Sequence, residues 1–158
     1  MIIQFSNNDD FEKEVSSFRK IDLEIIKKIE PKWAYGENSD KIYDYVLHPE
    51  SDKYIIAIVK VKDLLENIEF LDFDLENLFI DDLASDYRVM STLKRWQKNK
   101  YVDPPILSFS TSNEKKLCLA DGRHRFKISY FLKLEKIPIG INKYNLESIC
   151  KIIDIEFT

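Results

Sequence analysis

Residues 116–126 read Lys116-Leu117-Cys118-Leu119-Ala120-Asp121-Gly122-Arg123-His124-Arg125-Phe126, and this stretch decides the fold. Lys116 to Ala120 has the apolar run of a strand, and Asp121-Gly122 ends it. Phe126, Tyr130, Phe131 and Leu134 then space as one face of a helix. A strand that passes straight into a helix leaves backbone N–H groups pointing out of the helix start, where the dipole favours an anion. Gly122 lets a ligand approach the backbone with no Cβ in the way, and Arg123, His124 and Arg125 crowd positive groups into the first turn. Cations there oppose the dipole at about 0.3 to 1 kcal/mol each unless an anion compensates. A purely structural alternative has Asp121 capping the helix and pairing with Arg125 one turn on, with His124 merely packed.

Upstream, Tyr101-Val102-Asp103-Pro104-Pro105 breaks a helix expected over Asp86 to Lys98, in which Val89, Leu93 and Trp96 share a face. The basic residues Lys94, Arg95 and Lys98 read as that helix's solvated side. Ile106 to Phe109 is a strand, and Thr111-Ser112-Asn113-Glu114 supplies turn chemistry for an antiparallel hairpin onto Lys116 to Ala120. Downstream, Ile137 to Ile141 predicts a strand whose Pro138 suggests an edge or a strand start. A short helix near Leu146 to Cys150 and a last strand through Ile155 follow. Tyr54 to Val61 is the best early strand, with a turn or short helix from Asp63. Asn8 to Ile29 carries apolar residues at helical spacing and is closed by Pro31, whereas Trp33 to Asp52 is irregular, with a short helix around Lys41 to Val46. Ile68 to Phe79 is acidic and aromatic and reads as a solvated surface over a packed aromatic edge.

The chain has 158 residues, 44% hydrophobic and 33% charged, which suits one globular domain with a core of its own. Its net charge of -4 argues against duplex DNA, whose binding draws on Lys and Arg neutralising phosphates. Cys118 and Cys150 sit far apart in apolar runs and read as reduced packing residues rather than metal ligands. No basic leader and no membrane-length apolar run is present, so a cytoplasmic protein without a membrane partner is expected.

Val102-Asp103-Pro104-Pro105-Ile106, the hairpin, Leu119 to Phe126 and Lys136-Ile137-Pro138-Ile139 together resemble the core of the ParB/sulfiredoxin superfamily. Order, spacing and residue type agree over Pro104 to Pro138, and more loosely from Tyr54 to Ile141. The resemblance implies an α+β fold, a mixed sheet with packed helices over residues 51–158, preceded by an N-terminal helical extension at 1–50. In sulfiredoxins the matching turn is Gly-Cys-His-Arg, and its helix end, His and Arg bind nucleotide phosphates. Phosphate contacts are therefore implied for Gly122, His124 and Arg125, with Arg123 standing where the family has its cysteine nucleophile and joining the phosphate-binding set. Cys118 lies in the preceding strand, too far from the helix end to replace that nucleophile, so sulfinic acid reduction is not expected. Partitioning proteins continue into a helix-turn-helix domain for which these residues offer no counterpart.

ATP or another nucleotide, with or without Mg2+, is the expected ligand, and ATPase, phosphotransferase or nuclease chemistry the expected activity. Such chemistry needs held phosphates, neutralised charge and a carboxylate that positions the nucleophile or Mg2+. Asp121 is the candidate catalytic carboxylate. The Asp81-Asp82 pair reads instead as an exposed turn that caps the next helix, and His48 is given no role. No metal-ligand cluster is expected. The competing class is a non-catalytic interaction or inhibitor protein of a plasmid or phage, docking a protein partner through the acidic aromatic surface of Glu69 to Phe79.

Overall fold

The computed structural model describes residues 8–41, 53–70, 73–111 and 116–157. Thr111 to Glu114, His48 and most of the helix expected over Lys41 to Val46 lie wholly or partly outside these residues. Helices α1 (Asn8–Arg19) and α2 (Leu23–Ile26) come first, then β1 (Tyr54–Lys60), α3 (Val61–Asn67) and α4 (Leu83–Gln97). The hairpin β2 (Ile106–Phe109) and β3 (Leu117–Asp121), α5 (Arg123–Phe131), β4 (Lys136–Asn142), α6 (Leu146–Cys150) and β5 (Ile155–Phe157) complete it. The fold is α+β. Its five strands form one mixed sheet in the order β3-β2-β4-β1-β5. Among these strands only the β2–β4 pair is parallel, and β3 with α5 supplies the long connection that such a pair needs.

β4 sits at the centre of the sheet, which corrects the edge alternative drawn from Pro138, while Pro138 does lie near the strand's start. The reason is local. The Gly140 N–H points toward β2, donating to the Pro105 carbonyl at 2.8 Å. Strand N–H groups alternate sides, so the missing N–H of Pro138 lies on that same flank. There β4 has not yet met β2, whose pairing begins at Ile106 opposite Gly140. Toward β1, Pro138 stays in register with Ile58 and no ladder bond is lost.

Two apolar clusters flank α5. One joins Val59, Leu107, Ile137, Ile139 and Ile141 of the sheet to Phe126. The other joins Val15, Phe18 and Ile26 of the first helices to Met90, Leu93 and Ile128. Phe126 and Ile128, two residues apart on α5, thus lock the helix into both cores at once. The early helices are tied on by charge as well, since Arg19 Nε donates to the buried Asp86 carboxylate at 2.6 Å. That carboxylate also accepts the N–H groups of Ile80 and Asp81, at 2.9 and 3.1 Å. Cys150 is exposed rather than packed, and Cys118 is half-buried with its thiol donating to the Phe109 carbonyl.

Candidate functional site

The turn ahead of α5 is built by glycine for a reason that differs from the expected one. Gly122 has φ +87°, and a Cβ there would lie 2.8 Å from both Cα and Cβ of Pro105. The space is taken by the start of β2, so the glycine serves chain packing and not ligand clearance. Gly122 is the N-cap of α5 and offers no side chain to the first turn. The first helical bond back is Phe126 N–H to the Gly122 carbonyl at 2.9 Å, which leaves the N–H groups of residues 123–125 without helical acceptors.

Asp121 does not cap the helix. Its Oδ2 accepts from Arg125 Nη2 at 2.8 Å, while Arg125 Nη1 donates to the Asp103 carbonyl at 2.6 Å. Arg125 therefore clamps the two strand ends on either side of the turn. Asp81 and Asp82 are both exposed; Asp82 caps α4 by accepting the Ser85 N–H at 2.9 Å, and Asp81 stands 3.5 Å from Arg19.

A cleft of about 390 Å³ opens beside this turn, lined by Arg123, His124 and Arg125 together with Arg88 and Arg95 of α4. Asp103 and Asp121 line it as well. Arg95 belongs to the site and not to a wholly solvated helix face; its Nη2 donates to the Tyr101 carbonyl at 2.8 Å. Arg88, Thr92 and Arg95 follow one another at four- and three-residue steps, a second stripe beside the apolar one, and that spacing was the signal available in the sequence. Among the described residues no carboxylate pairs with Arg88 or Arg123, and no three His, Cys, Asp or Glu side chains are grouped to hold a metal ion. Mg2+, if used, would enter with phosphates and find Asp103 and Asp121 among the residues that line the cleft.

His124 is held by two contacts and borders the cleft. Its Nε2 lies 3.0 Å from Ser85 Oγ, its ring meets Phe73 edge to face at 5.2 Å, and it lines the cleft. Burial and the positive charges of Arg88, Lys127, Arg123 and Arg125 push its pKa down to about 4. Phe73 also lies 5.3 Å from the Arg123 guanidinium and 5.2 Å from Lys127 Nζ. Lys127 is fully buried and its ammonium makes no hydrogen bond among the described residues, so burial lowers its pKa despite the nearby Asp74 and Asp86.

Compared with known proteins, the chain matches no family model, no curated protein and no solved structure. Along with Arg88 and Arg95, the sequence reading missed Ser85 and Lys127. Nothing in the order of residues marks Ser85 or Lys127; the packing of α4 on α5 brings Ser85 to His124, and Phe73 lies beside both His124 and Lys127.

Proposed function

We propose that this chain is a nucleotide-phosphate-binding protein of the ParB/sulfiredoxin kind, with Gly122, Arg123, His124 and Arg125 as the phosphate turn. The supporting observation is that four arginines, Arg88, Arg95, Arg123 and Arg125, line one cleft at a helix start that lacks a side-chain cap. Planar guanidinium groups recognise phosphate bidentately, and among the described residues no carboxylate pairs with Arg88 or Arg123. ATP, alone or with Mg2+, is the ligand class, and phosphoryl transfer or phosphodiester hydrolysis the chemistry such a cleft serves. Asp121 is engaged by Arg125, so its role in this scheme is to hold that arginine and to offer a free oxygen to a bound cation.

The interaction-protein alternative leans on the acidic aromatic segment, yet its described rings turn inward. Phe70 stacks on buried Phe126 at 5.3 Å, and Phe73 covers His124. The test is a thermal-shift screen of wild type, Arg88→Ala and Arg125→Ala against ATP, ADP, CTP and GTP with and without Mg2+. A nucleotide that stabilises wild type and not Arg88→Ala supports the proposal; no shift with any nucleotide removes it in favour of a protein partner.

A further inference from the structure

Ser85 and His124 meet where the starts of α4 and α5 converge. Ser85 sits in the first turn of α4, pinned by the Asp82 carboxylate at its N–H, with its Oγ 3.0 Å from His124 Nε2. Phe73 holds the imidazole from another side, its ring nearly perpendicular at 88°. A hydroxyl within hydrogen-bond reach of an imidazole fixed on a rigid element is the arrangement that activates a weak oxygen nucleophile. His124 also lines the arginine cleft, so this hydroxyl is one hydrogen-bond distance from a residue of that cleft.

We propose that Ser85 is a phosphoryl acceptor, with His124 as its general base and a nucleoside triphosphate in the arginine cleft as donor. This rests on the nucleotide-phosphate reading and names what that site does. Ser85 Oγ forms a bond to the terminal phosphorus. The bond from that phosphorus to its bridging oxygen breaks, and the electron pair leaves with the nucleoside diphosphate. The hydroxyl proton passes to His124 Nε2, which accepts it in the tautomer that carries hydrogen on Nδ1. Arg88 and Arg123, having no carboxylate partner among the described residues, supply charge for the phosphoryl oxygens.

The surrounding charges make the base conditional. Arg88, Lys127, Arg123 and Arg125 all disfavour imidazolium, and among them the Lys127 ammonium is buried without a hydrogen bond. An anion in the cleft cancels part of this field and so strengthens His124 as a base when the donor arrives.

The experiment incubates the full chain with Mg2+ and ATP, GTP or CTP labelled on the terminal phosphate, then locates label by peptide mass spectrometry. Thermal shift of wild type under the same conditions reads binding separately. Label on Ser85 of wild type is expected, restored in Ser85→Thr, absent in Ser85→Ala, and slower by at least about a hundredfold in His124→Gln. A thermal shift without label on Ser85 overturns the acceptor role and leaves nucleotide binding standing. No shift and no label overturns both, and labelling at full rate in His124→Gln overturns the base.

Discussion

His124 is where the charge arrangement is most exposed to measurement. Its folded-state pKa of about 4 lies below the ordinary 6.5 because burial and four neighbouring cations resist protonation. Between these values the unfolded chain binds a proton that the folded one refuses, so this residue makes stability fall as pH drops from about 6.5 toward 4 and leaves it unaffected above. An NMR titration of the imidazole, assigned by its loss in His124→Gln, should show that depressed midpoint; a midpoint near 6.5 would mean that Phe73 and α4 do not enclose the ring. Gly122 gives a second test. Gly122→Ala puts a methyl group 2.8 Å from Pro105 and a side chain at φ +87°, so chemical denaturation should show a loss of more than about 1 kcal/mol. Lys127→Met removes a buried ammonium with no hydrogen bond, so it should raise the melting temperature and also raise the His124 midpoint.

Elements with a strong period were legible in the sequence. The hairpin, the strand from Tyr54 and the strand-to-helix change at Gly122 fall where alternation, turn residues and helical spacing indicated. Pro138 misled because its flank in β4 is unpaired although the strand is central, a matter of register that composition does not carry. The strand-to-helix turn at Gly122 could be read as a local motif, whereas Arg88, Arg95 and Ser85 join it only through the packing of α4 against α5. Asp86 shows the same dependence. From sequence it was a helix-start acid, yet it is buried and binds Arg19 and the N–H groups of Ile80 and Asp81. Asp86→Ala leaves the Ile80 and Asp81 N–H groups unpaired and Arg19 with only the exposed Asp81 beside it, and should cost about 3 kcal/mol in chemical denaturation, with α1 loosening first in hydrogen exchange. Retention of full stability would show that apolar contacts alone hold α1 in place.

At the scale of the molecule, the first helices form part of the core that fixes α5, because Val15, Phe18 and Ile26 cover Met90 and Leu93. A chain lacking residues 1–41 should therefore lose cooperative unfolding and bind a hydrophobic dye, whereas an extension merely appended to a finished domain would leave both unchanged. With two cores gripping α5, its N-terminus and the arginines around it are set before any ligand arrives, which is the condition for tight anion binding. The most direct measurement is the His124 titration repeated with saturating ATP, in wild type and in Arg88→Ala. If the cleft holds phosphates, the added negative charge raises the His124 midpoint from about 4 toward 6.5 in wild type and less in Arg88→Ala. A midpoint unmoved by ATP would contradict phosphate binding at this turn.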